Sequence, residues 1–385
     1  MAKQAHRKSV GVWHVLRACA VGGAFLLLMA QGNVSLAQGA SGLGEEWDKT
    51  LALAKKEGSV SVALGSSTQR ETRTVWGIFE KKFGIKVVVS GGAGNQVTRR
   101  MLAERASGRT EVDMVGLGTA SVLTELIPNN LVVPVEPLLF LPEVTDASTW
   151  WGGKHWYADP QQKYLLMYTF VPGDTGIGIN TNLVDEKTIN SYWDVFDPRY
   201  DGKRVSGSMN VSSGANTIVA MMVLAGPDWL SRWVKSKPIS IPDADLGINY
   251  LIEGKAALGM FLSGDLQSLD AIAAKGAPVK RVTKEMKEGQ AAGRGNCCFA
   301  LVANPPHPNA QKILINWIMT KEGQVAMQKD NPRSNSPRDD IPKDMIDSDM
   351  LRTPGANYKF MSQLPNYDEL LAKAMKIIAD AQAEK

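Results

Sequence analysis

Cysteine, histidine and long apolar runs are scarce in this chain, and each scarcity removes a class of chemistry. Three cysteines and four histidines occur in 385 residues. Beyond residue 37 only Cys297, Cys298, His155 and His307 remain. The cysteines are adjacent and the histidines lie far apart, so a Cys/His metal site of ordinary ligand spacing is not expected. The sequence contains no G-x-S-x-G elbow, P-loop, H-E-x-x-H or C-x-x-C. Isolated histidines usually serve packing, and no acid stands beside either one in a recognisable arrangement. The expectation is a protein that is not an enzyme, with no cofactor and no resident metal. An exported α/β enzyme stays as an alternative, because triads are defined by geometry rather than by order in the chain.

Excess charge of one sign is also lacking. The 43 Lys and Arg face 39 Asp and Glu, but four of the basic residues and none of the acids fall in residues 1–37. The remainder is therefore balanced at 39 to 39, which gives no basic footprint for nucleic acid. The basic residues Lys3, Arg7, Lys8 and Arg17 precede an apolar run from Ala18 to Ala30. Val34-Ser35-Leu36-Ala37 follows, with small residues placed for cleavage after Ala37. This is the layout of a secretory signal peptide, shorter in its apolar part than the ~20 residues that span a bilayer. Cys19 precedes most of the apolar run, which disfavours a lipid anchor. An exported, periplasmic location is expected. Oxidising surroundings permit disulfides, yet neighbouring cysteines close only a small ring. Cys297 and Cys298 are expected as two buried thiols on a strand, with a vicinal disulfide as the alternative.

What the chain does have is alternation of strand and helix patterns. A helix is predicted over Glu45–Lys56, a strand over Ser59–Leu64, a helix from about Arg70 to Phe83, and a strand over Ile85–Val89. A helix from Asn95 to Ala106 and a strand over Val112–Val115 follow. Such alternation implies βαβ units and a parallel sheet. Three successive strands end in small polar turns: Ser66-Ser67-Thr68, Gly91-Gly92 and Gly118-Thr119. Ligands of open α/β sheets sit beyond such carboxyl ends, where helix N-termini favour anions. A second unit repeats the pattern. Ser212-Ser213-Gly214-Ala215-Asn216 opens a helix, and a strand over Ala257–Leu262 ends in Ser263-Gly264-Asp265. Pro278–Val282 and Cys298–Ala303 read as strands, the latter as a return crossing. The segment from Leu131 to Pro172 is irregular and aromatic, with Trp150, Trp151, Trp156, Tyr157 and Tyr164 as packing or cleft-lining residues. Asp330 to Pro365 reads as an acidic, solvated loop before a last helix, Tyr367–Ala381.

Several of these stretches resemble one family. Phe79-Glu80-Lys81-Lys82-Phe83-Gly84-Ile85-Lys86-Val87, Leu102-Ala103-Glu104-Arg105 and Val112-Asp113 are similar to the first lobe of family-1 extracellular solute-binding proteins of ABC importers. Ile179-Asn180-Thr181-Asn182-Leu183, the run Trp193 to Lys203 and Glu253-Gly254-Lys255-Ala256-Ala257 continue the likeness. The stretch from His307-Pro308-Asn309-Ala310 to Lys321-Glu322-Gly323-Gln324 is its most specific part. The resemblance is to the ferric-iron-binding-protein-like group. It implies a two-lobe periplasmic-binding-protein fold of type II, each lobe a mixed sheet flanked by helices, with hinge strands between them. The expected division is residues 1–37 as leader, 38–176 with 299–330 as the first lobe, 177–298 as the second, and 331–385 as a C-terminal segment whose last helix packs on the lobes.

The group's iron ligands do not carry over. Its paired tyrosines would fall near Leu266 and Gln267, its first-loop histidine near Thr68 and its carboxylate near Gly118. The anion anchor does carry over, as Ser213-Gly214-Ala215. The resemblance therefore implies a binding protein that hands a small organic anion, a carboxylate, phosphonate or phosphate, to an inner-membrane ABC permease. A monomer without a nucleic-acid partner is expected. Candidate ligand contacts are Ser66, Ser67, Thr68, Gly92, Asn95 and Thr119 from one lobe. Ser213, Gly214, Ala215, Asn216, Ser263 and Asp265 are those from the other. Arg70, Arg99 and Arg294 are candidate counter-charges. A ferric-iron binder using exogenous anions is the alternative within the same fold.

Overall fold

Alternation of apolar and small residues makes Ser59–Gly65 a strand, and Gly58 in the left-handed region stops the helix before it. The computed structural model describes residues 44–172, 175–209, 214–241, 244–262, 268–292, 297–347, 350–352 and 358–384. The expected leader, Ser212, Ser213, Ser263, Asp265, Leu266, Gln267, Arg294 and Asp349 lie outside them.

The first lobe begins with α1 (Glu45–Glu57), β1 (Ser59–Gly65), α2 (Ser66–Glu71), α3 (Val75–Phe83), β2 (Lys86–Gly92) and α4 (Gly94–Ala106). Next come β3 (Met114–Gly116), α5 (Thr119–Ser121), β4 (Val132–Val133), α6 (Pro142–Thr145) and β5 (Leu166–Met167). The helix expected from Arg70 to Phe83 is thus two helices, the first starting earlier, at Ser66, and the second ending at Phe83 as expected. The chain turns at Thr72 and Thr74, whose hydroxyls bond the Thr68 carbonyl at 2.7 Å and Asp330 at 2.6 Å. Such side-chain bonds give the backbone an alternative to the helical ladder.

The chain then enters the second lobe. It comprises β6 (Ile177–Asn180), β7 (Arg204–Ser206), α7 (Ala215–Leu224), α8 (Pro227–Lys235), β8 (Ile239–Ser240) and α9 (Ala244–Ile252). β9 (Leu258–Met260), α10 (Ser268–Ala273), β10 (Val279–Arg281) and β11 (Ala291–Ala292) complete it. β12 (Cys298–Val302), α11 (Pro308–Met319) and α12 (Lys321–Asp330) return to the first lobe. β13 (Lys359–Phe360) pairs with β11, and α13 (Tyr367–Ala383) packs on α7 and α8 of the second lobe.

Two mixed sheets result. The first runs β2-β1-β3-β12-β4, with β5 also on β12; the second runs β10-β6-β9-β7-β8. β1 is parallel to both β2 and β3, and β12 is antiparallel to its neighbours. Fully buried β12 fills the middle of the first sheet, as its unbroken apolar run requires. Phe79, Phe83 and Trp317 pack together on the outer side of this lobe. Trp229, Trp233, Phe196 and Phe261 do so in the second.

Cys297 and Cys298 form a vicinal disulfide, not two thiols. Both are buried where the chain enters β12, and the ladder with β5 begins only at Cys298. The Cys297 backbone is therefore free of strand pairing, although its carbonyl accepts from Tyr168 N at 3.0 Å.

The acidic tail also differs from expectation. Asp339, Asp340 and Asp347 bind Arg352, Arg338 and Arg333. Arg338 is 1% exposed, lies 5.0 Å from the Trp150 ring and donates to the carbonyls of Glu143 and Met319. Asn335 and Phe170 exchange backbone bonds at 2.7 and 2.9 Å. Residues 331–347 and 350–352 thus strap the segment around Phe170. The aromatic segment packs there too. Trp151 stacks on Trp156 at 4.1 Å and on Phe170 at 5.1 Å.

Candidate functional site

Register brings the predicted turns of the first lobe together. Gly65 pairs with Gly92 and Leu64 with Gly116, so the chain leaves β1, β2 and β3 along one edge. Ser66, Ser67 and Thr68 open α2; Gly92 ends β2; Asn95 lies in the first turn of α4; Thr119 opens α5. Ser66 and Asn95 are exposed, Ser67 and Gly92 half-buried, and Thr68 and Thr119 buried.

In the second lobe β7 and β9 run parallel and finish at one edge. Gly214 caps α7 and is followed by buried Ala215 and half-buried Asn216. This edge meets the first. Asn216 Nδ2 donates to Thr119 Oγ1 at 3.0 Å, and Tyr367 OH donates to Asn216 Oδ1 at 2.8 Å. The two bonds fix the orientation of the amide. Burial pushes the Tyr367 phenol well above its ordinary pKa, so it stays a donor. Sequence reasoning missed Tyr367, which reaches Asn216 from 151 positions away.

Two hydroxyls on the first-lobe edge are left over. Thr68 Oγ1 and Ser121 Oγ are buried and have no hydrogen-bond partner among the described residues. Both belong to segments that follow neighbouring strands, β1 and β3. A buried polar atom without a partner costs ~1–3 kcal/mol, so the pair is set for an acceptor. Ser121 had no sequence signal beyond its place one turn into α5.

Arg70 lies 3.5 Å from Ser67 Oγ, and Arg99 bonds the Asn95 carbonyl on its own helix. Both histidines are tied into the framework. His155 binds Glu136 at 3.0 Å and the Val144 carbonyl at 2.9 Å. His307 N and Nδ1 bind the buried Asp113 carboxylate at 2.7 and 2.9 Å.

These two facing lobes, joined by β-strands and a C-terminal strap, have the fold of periplasmic solute-binding proteins. No family model matches the chain, and no curated protein is similar to it in sequence. Among solved structures, it is similar to Trichodesmium IdiA (FutA) in complex with iron and citrate ligands. That match has a TM-score of 0.62 and 17% identity, over 84% of this chain and 99% of the other. The ferric binding protein from Campylobacter jejuni matches with a TM-score of 0.63 and 15% identity, over 84% and 99%. The periplasmic binding protein P5PA matches at 0.59 and 13%, over 85% and 99%. At such identities the likeness is one of fold.

Proposed function

We propose that this chain is the solute-capturing component of an ABC importer, closing its two lobes on a small anion and passing it to a membrane permease without chemical change. The observation that carries the reading is the meeting of the two sheet edges at Thr119 and Asn216, beside the unpaired hydroxyls of Thr68 and Ser121. Hydroxyl, amide and helix-terminal donors suit a carboxylate, phosphate or phosphonate. Ser66, Ser67, Gly92 and Asn95 line the first edge in this reading, and Gly214 and Ala215 the second. Export to the periplasm through the N-terminal leader belongs to the same proposal.

A ferric cargo is the second reading, favoured by the neighbour solved with iron and citrate. By the resemblance, that group's imidazole and carboxylate would fall near Thr68 and Gly118 in this chain. Iron would then arrive wrapped in its own oxygen ligands, as a ferric–anion complex, and the chain would grip the anion.

Calorimetric titration with phosphate, methylphosphonate, citrate and ferric citrate tests both. Binding of a free anion supports the first reading. Binding of ferric citrate alone, with a visible charge-transfer band, supports the second. A folded protein that binds none of them overturns the proposal.

A further inference from the structure

The second-lobe sheet ends in a buried charge. β10 is antiparallel to β6, and β6 is antiparallel to β9. β10 and β9 therefore run the same way and finish at the same cleft-side edge. Arg281 is the last residue of β10 and sits beside Gly178, which sits beside Gly259. Val279 and Arg281 face inward against α10 while Lys280 faces out. An apolar residue is what the second inward position calls for, and the chain places an arginine there.

Arg281 is fully buried. Its Nε lies 3.4 Å from Asp270 Oδ2, outside hydrogen-bond geometry, and its Nη2 is 3.4 Å from the Met350 sulfur. Nη1 has no partner. Guanidinium carries five donors in a fixed fork, and a thioether is a poor acceptor for one of them. Arg333, three residues past α12 of the first lobe, reaches the same Asp270 carboxylate and holds Asp347 at 2.9 Å. One carboxylate on α10 is thus shared by two guanidiniums, one from each lobe. A charge buried with so few acceptors is costly, and the cost is relieved by a further group that brings oxygen atoms.

We propose that Arg281 and Arg333 form the cationic pole of the cleft and receive the carboxylate, phosphate or phosphonate of the cargo. The inference rests on the binding-protein reading above. Planar guanidinium meets two oxygens at once, which matches these anions in shape as well as in charge. Because the two arginines come from different lobes, an anion that touches both binds the closed arrangement better than an open one. That differential affinity is what drives closure. Asp270 keeps the two cations together while the site is empty.

The test is titration of phosphate, methylphosphonate, citrate and ferric citrate into the exported chain and its R281M, R281K and R333Q variants at low salt. Methionine fills the buried space without charge, so R281M is expected to keep its circular dichroism and melt cooperatively. Loss of a charge-assisted contact should weaken the probe that the wild-type chain binds by ~10–100-fold, with R281K between the two. R333Q, at a partly exposed position, should lose affinity as well and decides the matter if R281M does not fold. A folded R281M or R333Q that binds as tightly as wild type overturns this inference alone. A wild-type chain that binds none of the probes overturns the reading beneath it.

Discussion

Gly323 illustrates how a single residue sets the first-lobe packing. A Cβ at this position would lie 2.1 Å from the Trp317 carbonyl oxygen and 2.8 Å from Ile318 Cα. α11 and α12 meet there, and the Thr320 hydroxyl caps α12 by accepting from Gly323 N at 3.1 Å. The contact is backbone, so no rotamer change relieves it. G323A is expected to destabilise the chain by ~1–3 kcal/mol, as overpacking does. Urea unfolding checks this, with a lower midpoint and an unchanged slope; an unshifted midpoint contradicts it. The residue was legible only as part of a familiar stretch. The same holds for Asp113, whose carboxylate ties Ser61 N at 2.6 Å to His307 N at 2.7 Å. Stretches that resembled the family prove to be those that knit the lobe together. Arg281, Arg333 and Tyr367 gave no such signal, because their partners lie 11 to 151 positions away and charge alone does not tell a buried arginine from a surface one. The disulfide was misjudged because strand patterning says nothing of how two adjacent side chains turn.

Elements with a strong period and a clear stop were the readable ones. β1 and α13 lie close to their expected bounds, since apolar spacing and the stop at Gly58 act locally. The strap of residues 331–347 and 350–352 was misread as solvated, because its acids pair with arginines of the same segment, and Arg338 among them is buried against Trp150. Within it Asp340 holds Arg338 by bonds of 2.8 and 3.0 Å, and Arg338 donates to the Glu143 and Met319 carbonyls outside it. Hydrogen bonding from Arg338 holds the Asp340 carboxyl below its ordinary pKa. A folded-state pKa that is lowered means stability present at neutral pH and lost as pH falls through that lower value. The strap should therefore loosen in acid, below the ordinary carboxylate range. D340N should cost ~1.5–3 kcal/mol at pH 7, the worth of a hydrogen bond to a charged group. The difference between variant and wild type should shrink as the wild-type carboxyl is protonated. Melting curves from pH 7 down to about pH 3 check the convergence. Parallel curves across that range would contradict it.

At the scale of the whole molecule, the lobes touch directly through side chains from distant elements. Tyr367, Asn216 and Thr119 form a chain of two hydrogen bonds from α13 through α7 to α5. The Arg333–Asp270 pair ties the strap of the first lobe to α10 of the second. Periodicity and turn chemistry made both sheets and the turns along their edges legible, but the contacts between lobes depend on tertiary geometry that no local pattern encodes. In the proposed function, closure is a balance that a small change shifts. Y367F removes the donor to Asn216 Oδ1 and leaves that amide free to turn away from Thr119. Losing one neutral hydrogen bond of ~0.5–1.5 kcal/mol moves the closed-to-open ratio by roughly 2–12-fold. The ligand-free variant should thus scatter X-rays with a larger radius of gyration than wild type. Saturating ligand should restore the wild-type value, because a ligand that prefers the closed state offsets the lost bond with its own differential affinity. Identical scattering by the two ligand-free proteins would mean that the Tyr367–Asn216–Thr119 chain does not govern closure.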